Sequence, residues 1–179
     1  MKGLVFTEFL EMVEAVWSLD MVDAVIDRAQ VATGGAYTSV GTYPHTEMLA
    51  LVTALAAETG QPAGELVRAF GRHLFGRFSK LYGQFFTGAR DSFQFLSGIE
   101  EVIHAEVRKL YPDAELPGFE VESRTDTLIL TYFSSHPFAD LAHGLIEGCV
   151  AYFGERVDIR REDTDLPGAQ VRFVLRRLG

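Results

Sequence analysis

The hydrophobic periodicity of the chain changes near Pro112, and this change constrains the fold more than any other feature of the sequence. Before Pro112, apolar residues recur at helical spacing in segments that glycines and prolines separate. After it, FEVESRTDTLILTYFSS alternates apolar and polar residues around a polar turn, a pattern typical of a β-hairpin. The sequence therefore predicts a mainly helical part over residues 1–111 and a strand-containing part over residues 112–179.

The second part is predicted to have the order β-β-α-β-β. PFADLAHGLIEGCVAYFGERV returns to helical spacing, and a second hairpin is predicted around DLPG in VDIRREDTDLPGAQVRFVLRRL. Strands joined by hairpins form an antiparallel sheet, one face of which a helix can cover. The predicted fold class is α+β: a helical N-terminal part plus a four-stranded antiparallel sheet with a covering helix, in one domain spanning residues 1–179.

Two aspartates are predicted to begin helices in the first part. Asp20 is the predicted cap of a helix from Met21 to Ala29. Asp91 is the predicted cap of a long helix that continues through Tyr111.

Composition and charge exclude several classes of function. The net charge of −9 argues against nucleic acid, whose recognition needs a basic footprint, and against anionic membranes. No apolar run approaches the roughly 18 residues of a membrane span. The only cysteine, Cys149, excludes an intramolecular disulfide and a cysteine-rich zinc site, and it favours a reducing cytoplasm. The 14 phenylalanines indicate a bulky core or a pocket with flat apolar walls.

His104 lies in the predicted helix of GIEEVIHAEVRKLYPDAELPGF, on the flank of an apolar stripe. A flank position lets the helix pack on the core and still offer an imidazole nitrogen to another group. No residue near His104 supplies further zinc ligands at helical spacing, whereas haem needs only one axial protein ligand. The residues alone leave two interpretations open: a half-buried packing histidine and an axial ligand.

A second polar motif, YFSSH, is predicted at the end of the second strand. Tyr132, Ser134 and His136 share a face of that strand by period two. Two hydroxyls and an imidazole on one face can bind a pair of carboxylates, and the alternative is a polar strand end before a proline. No serine or cysteine is spaced from a histidine in a way that indicates a catalytic triad, and the chain has no GxxxxGK loop.

Read in order, MKG, FGRHLFGRF, FFTGARDSFQFLSGIEEVIHAEVRKLYPDAELPGF, YFSSHPF and GLIEG resemble the haem-nitric oxide/oxygen binding (H-NOX) domain. This is the sensor module of soluble guanylate cyclases and of small stand-alone bacterial proteins. The resemblance covers Met1 to Leu178, and the family's fold agrees with the one predicted above. It implies that His104 is the proximal haem ligand and that Pro117, in ELPGF, presses on the porphyrin and helps to distort it.

The resemblance also implies a propionate clamp, which the family builds as Tyr-x-Ser-x-Arg. Tyr132 and Ser134 match this pattern, but His136 stands in place of the arginine. Arginine is permanently charged and binds carboxylates through two donors, whereas an unperturbed histidine titrates at about pH 6.5. The clamp is therefore expected to be weaker and sensitive to pH, unless Arg124 or another arginine reaches the propionates.

On the distal side, oxygen-binding members of the family carry a tyrosine where this chain has Leu141. O2 on the iron needs a hydrogen-bond donor, whereas NO binds ferrous haem tightly without one. The resemblance thus implies a preference for NO over O2, with CO as a further candidate ligand. The other residues predicted for the distal pocket also lack a side-chain donor: Val5, Phe6, Leu74, Phe78 and Leu145.

The function expected from the resemblance is a cytoplasmic, stand-alone NO sensor that contains five-coordinate ferrous haem b (iron protoporphyrin IX). The length leaves no room for a kinase or cyclase domain, so the protein is not expected to be an enzyme. Rupture of the bond between His104 and iron is expected to move the histidine helix and to signal to a separate histidine kinase or cyclic-di-GMP enzyme. The alternative is an H-NOX-like adaptor without functional haem that binds a protein partner or another flat apolar ligand, an alternative that His136 supports.

Overall fold

The computed structural model of the protein describes residues 1–166 and 169–179. In this part of the chain there are seven α-helices, a short 3-10 helix at Gly83–Phe85 and a π-helix at Ile99–His104. The α-helices are α1 Gly3–Val16, α2 Leu19–Ala29, α3 His45–Thr59, α4 Ala63–Leu81, α5 Ser92–Ser97, α6 Ala105–Leu110 and α7 Ala139–Tyr152. None of these described helices is both long and apolar enough to span a membrane.

Four antiparallel strands form one sheet in the order β1-β2-β4-β3: β1 Gly118–Ser123, β2 Thr127–Phe133, β3 Val157–Glu162 and β4 Ala169–Arg177. The predicted α+β fold class and the polar turn of the first hairpin are confirmed. Pro167 and Gly168, part of the predicted DLPG turn, lie outside the described residues. The assignment of all 179 residues to a single domain stays a prediction.

One predicted helix cap is wrong, and one predicted long helix is divided. Ser18, not Asp20, caps α2, because its hydroxyl accepts the N–H of Met21 at 3.1 Å. Asp91 does cap α5, accepting from Gln94 N–H at 2.8 Å, but no single long α-helix follows it. After Gly98 the segment continues as a π-helix, and it returns to α-helix at Ala105. Glycine favours the α-helical conformation less than most other residues do because it has no side chain.

The core has two apolar clusters. One joins α1, α2, α3 and α4. The other lies between α7 and the sheet, where Ile146 and Cys149 of the helix are buried with Leu128, Leu130 and Phe173 of the strands. Helix α7 therefore covers one face of the sheet, as its periodicity predicts.

Helices α4 and α7 approach each other closely enough for their backbones to touch. A Cβ atom added to Gly144 of α7 would lie 2.0 Å from the carbonyl oxygen of Arg68, and one added to Gly71 of α4 would lie 2.5 Å from that of Leu141. The two helices connect the helical part to the sheet part, and both contribute residues to a cavity between these parts.

Candidate functional site

A cavity of about 320 Å³ lies between the helical part and the sheet. Its walls are mainly aliphatic and aromatic side chains from α1, α4, the π-helix, α7 and β2. A space of this kind suits a flat apolar ligand that needs few polar contacts. The polar lining residues are Lys2, Tyr82, His104, Tyr111, Glu115, Tyr132, Ser134, Ser135 and His136.

The structure brings together all but one of the site residues predicted from the sequence. Phe6 is the exception: it is fully buried in the helical cluster and stacks on Tyr37, with ring centroids 4.4 Å apart. Successive residues of an α-helix point about 100° apart, so the turn that directs Val5 into the cavity directs Phe6 into the core. The cavity-lining residues are Val5, Leu74, His104, Phe78, Pro117, Tyr132, Ser134, His136, Leu141 and Leu145.

His104 ends the π-helix, and its side chain is only 10% exposed. Its Nδ1 atom lies 3.0 Å from Oε1 of Glu100, and no described residue forms a hydrogen bond with Nε2. Burial lowers the pKa of His104, although the nearby carboxylate of Glu100 opposes this effect. The ring is therefore neutral at pH 7, with one nitrogen held by Glu100 and the other available to a metal.

The YFSSH segment lines the cavity, but not as the single strand that the sequence predicted. The pairing of β2 with β4 is irregular after Tyr132, and the strand ends at Phe133. Ser134 and His136 follow the strand, so the period-two argument for a shared strand face is wrong for them. Instead, Ser134 and His136 lie in a turn, where the hydroxyl oxygen of Ser134 accepts the N–H of His136 at 3.0 Å. Nε2 of Gln170 donates to the carbonyl oxygen of Ser134 at 2.6 Å and to that of His136 at 2.9 Å.

His136 is surrounded by residues that sequence reasoning did not identify. Its Nε2 lies 3.0 Å from Oε2 of Glu115, and its ring packs against that of His45 with centroids 3.9 Å apart. The carboxylate of Glu115 has a lowered pKa because of its hydrogen bond and charge interaction with His136. The ring thus already holds one carboxylate, which is the kind of group that a propionate clamp must bind.

Arg124 does not replace the missing arginine of the clamp. It lies in the exposed turn between β1 and β2, and its Nη2 is 3.9 Å from Oε2 of Glu122. No arginine lines the cavity in the part of the chain that the structure describes. Lys2 lines it, but its ammonium is held by Asp113, Thr42 Oγ1 and the carbonyl of Val40.

Two tyrosines that the sequence analysis did not assign to the site add hydroxyl groups to the cavity lining. Tyr82, at the end of α4, and Tyr111, after α6, both line the cavity. Burial is the largest cause that raises the pKa of Tyr82 to about 12. Leu74, Phe78, Leu141 and Leu145 contribute apolar side chains to the same lining.

The lining residues fit haem by their chemistry. One histidine offers a free ring nitrogen, which is sufficient protein ligation for haem iron. Apolar side chains match the porphyrin, while Tyr132, Ser134 and His136 supply hydroxyl and imidazole groups for its carboxylates. Glu100 could have been found from the sequence, because it precedes His104 by four residues and such pairs are neighbours on a helix.

The model of the Haem-NO-binding family matches residues 2–161 of the chain. No curated protein matches the chain. Among solved structures, the Fe(II) unliganded H-NOX protein from K. algicida is 37% identical with a TM-score of 0.93, over 100% of this chain and 97% of that one. The H-NOX from Shewanella woodyi, bound to IWP-051 in the Fe(II)CO ligation state, is 38% identical with a TM-score of 0.85, over 99% and 95%.

A third similar structure is an H-NOX protein from S. oneidensis in the Fe(II)NO ligation state. It is 25% identical with a TM-score of 0.89, over 100% of this chain and 99% of that one. Because the family match spans most of the chain and relatives at 37% and 38% identity align over nearly all of it, the chain belongs to the haem-nitric oxide/oxygen binding (H-NOX) family of haem-binding gas sensors, which are not enzymes.

Proposed function

We propose that the protein senses NO through a ferrous haem b whose only protein ligand is His104. The observation that carries the proposal is the arrangement of this residue. Its ring is buried beside an apolar cavity, Nδ1 is held by Glu100, and Nε2 has no partner among the described residues. When bound, haem supplies a ferrous iron that takes up a diatomic gas.

The other lining residues have distinct roles in this proposal. Pro117 contacts the porphyrin, and Tyr132, Ser134 and His136 bind its propionates. Val5, Leu74, Phe78, Leu141 and Leu145 form the distal wall and exclude water. Their apolar side chains favour NO, and allow CO, over O2, because they offer no hydrogen bond to a polar ligand. The S. oneidensis relative, solved in the Fe(II)NO state, supports NO as the ligand.

Signalling is proposed to follow from the release of His104 when the gas binds. The segment from Gly98 to Leu110 then shifts to a second position, because the ligand has different affinities for the two states. The receiver is a separate protein, a histidine kinase or a cyclic-di-GMP enzyme. A cytoplasmic location, expected from the single buried cysteine, belongs to the same proposal.

The test of the haem ligand is the absorption spectrum of purified protein. Wild type should show a Soret band, and His104→Gly should bind haem only when free imidazole is added. His73→Gly is the matched control, since His73 lies on α4 outside the cavity lining, and it should keep the wild-type spectrum. If His104→Gly keeps an unchanged spectrum without imidazole, His104 is not the ligand. A wild type that takes up no haem would support the adaptor alternative.

Gas selectivity is tested on the same ferrous protein. NO should change the spectrum at stoichiometric concentration, whereas air-saturated buffer should leave the unliganded spectrum until the iron oxidises. Leu141→Tyr is designed to restore a donor and should raise affinity for O2. A stable oxygen complex of the wild type would contradict the proposed selectivity, and the hydroxyls of Tyr82 and Tyr111 would then be the candidate donors.

A further inference from the structure

We infer that Glu100 is a positioning residue for His104, and that it ties this ligand to the first strand of the sheet. The inference rests on the proposed function, because it concerns the residue that orients the proposed axial ligand. Glu100 lies in the first turn of the π-helix that His104 ends.

One oxygen of Glu100 makes both contacts. Oε1 lies 3.0 Å from Nδ1 of His104 and accepts the backbone N–H of Phe119 at 2.9 Å. An oxygen of an ionised carboxylate carries no hydrogen, so it accepts in both contacts. The hydrogen in the contact with His104 must then belong to Nδ1, and the lone pair of the neutral ring lies on Nε2. Glu100 thus selects the tautomer that can bind iron.

The charge of Glu100 also affects the strength of the axial bond. A carboxylate that accepts from one ring nitrogen makes the other nitrogen a stronger electron donor to a metal. His104 is nearly buried and Glu100 is 30% exposed, so water screens their contact only in part. Among the described residues, the cation that pairs with this carboxylate is the half-exposed Arg108, whose Nη2 lies 3.7 Å from Oε2 and leaves Oε1 to His104.

The second contact connects the ligand to the sheet. Phe119 is in β1, two residues after Pro117, and its ring lies 6.1 Å from that of His104 and 5.4 Å from that of Tyr132. Any movement of His104 away from the cavity must either carry Glu100 along, which breaks the bond to Phe119, or break the bond to Glu100. In the first case the release of His104 disrupts a hydrogen bond of β1, beside the proposed porphyrin contact at Pro117.

The neighbouring acidic residues do not share this role. Glu101 is exposed, and its carboxylate has no ion pair or hydrogen bond with any residue that the structure describes. Glu106 pairs with Lys109 on the solvent side of α6. Glu101 therefore provides a matched control of the same charge, in the same turn, without the contact.

The first test measures the tautomer of His104 in the full chain without added haem. Long-range 1H–15N spectra of protein with labelled histidine should show Nδ1–H in wild type and in Glu101→Ala. Glu100→Ala should shift His104 toward the Nε2–H form and speed hydrogen exchange of the Phe119 amide. An Nε2–H ring in wild type, or an unchanged tautomer in Glu100→Ala, would overturn the inference.

The second test uses haem-loaded protein and the conservative Glu100→Gln variant, which keeps the size of the side chain and removes its charge. The iron–histidine stretching frequency should fall, and haem affinity should fall about ten- to a hundredfold, while Glu101→Gln matches wild type. If both quantities stay unchanged in Glu100→Gln, the inference fails although the haem function stands. If wild type takes up no haem, the proposed function fails, and the tautomer measurement alone decides the role of Glu100.

Discussion

His136 stands where the H-NOX family carries an arginine, and other titratable groups already enclose its ring. Glu115 contacts Nε2 at 3.0 Å, and the ring of His45 packs at 3.9 Å. Burial and the neighbouring charge of His136 lower the pKa of His45, so His45 adds little positive charge near pH 7. At the scale of one residue, the proposed clamp therefore has an imidazole in place of a permanent cation, and the carboxylate of Glu115 competes with the propionates for this imidazole.

His136→Arg should make haem retention stronger and less dependent on pH. Haem brings two carboxylates to the ring, so binding favours the protonated imidazole. A histidine can lose its charge near physiological pH, whereas an arginine cannot, so the affinity that this charge adds should decline toward alkaline pH in wild type only. A fixed cation restores a charge-assisted hydrogen bond, on the order of 1 kcal/mol or about fivefold in affinity at alkaline pH.

The measurement is the rate of haem transfer to an acceptor apoprotein between about pH 6 and 9, which brackets the reference histidine value. Wild type should lose haem faster toward the alkaline end, and His136→Arg should not. Glu115→Gln serves as the companion variant, because it removes the resident carboxylate and keeps the imidazole. An alkaline increase that survives in His136→Arg would show that another group binds the propionates.

At the scale of elements, the contact between α4 and α7 determines the width of the cavity. Both helices place residues in its wall, and their backbones touch at Gly71 and Gly144. Arg68 of α4 and Glu147 of α7 form an ion pair across the same contact. The glycines are needed here because any side chain would push the helices apart. The ion pair is partly exposed to solvent, so it contributes less to the stability of the contact between the helices.

Gly144→Ala should destabilise the protein by about 1–3 kcal/mol or more, because the added Cβ would lie 2.0 Å from the carbonyl oxygen of Arg68 and backbone cannot move aside cheaply. The control is Gly76→Ala, also in a helix of this pair but with nothing within 4 Å of the added Cβ. It should stabilise by up to about 1 kcal/mol through helix propensity. Denaturant unfolding measures both changes, and equal midpoints for Gly144→Ala and wild type would contradict the close-contact argument.

At the scale of the whole molecule, the half-buried His73 on α4 and the buried His143 on α7 make stability sensitive to acid. His73 faces Glu8, with Nε2 3.8 Å from Oε2, and His143 packs against Phe173 with ring centroids 5.4 Å apart. Neither Nε2 has a hydrogen-bond partner among the described residues. Burial is the largest cause that lowers the pKa of each of these two rings.

The free energy of unfolding should therefore fall as the pH drops below about 6.5, the value of a histidine in the unfolded chain. Between that value and the lower folded value, the unfolded chain binds protons that the folded protein does not, so acid favours unfolding. Stability is fully present above about pH 6.5 and is lost progressively below it.

Urea unfolding of haem-free protein at about pH 7.5 and 5.5 tests this, because ordinary carboxylates, with values near 4, stay ionised across that range. The double variant His73→Gln/His143→Gln should show a smaller loss between the two pH values than wild type. It should not abolish the loss, because burial also lowers the pKa of His45 and His104. If the double variant loses as much free energy of unfolding as wild type, the acid sensitivity comes from His45 and His104.

Local patterning in the sequence was sufficient for the α+β architecture and for singling out His104, which lines the cavity. The alternation after Pro112 predicted the first hairpin, the spacing in PFADLAHGLIEG predicted α7, and the position of His104 beside an apolar stripe allowed a ligand role. These features depend on which face of a helix or strand is apolar, and the order of neighbouring residues determines that property. The resemblance to the H-NOX family added the clamp, Pro117 and the distal wall, which no local pattern contains.

Only the tertiary structure decided where several side chains lie. Phe6 turns into the core, a π-helix replaces part of a long α-helix before His104, and Ser134 and His136 leave the strand at an irregular pairing. Glu115 and His45, distant from His136 in sequence, meet its ring only in the fold. The physical reason is that these placements result from packing and hydrogen bonds between segments far apart in the chain, whereas sequence periodicity reports only the faces of each segment by itself.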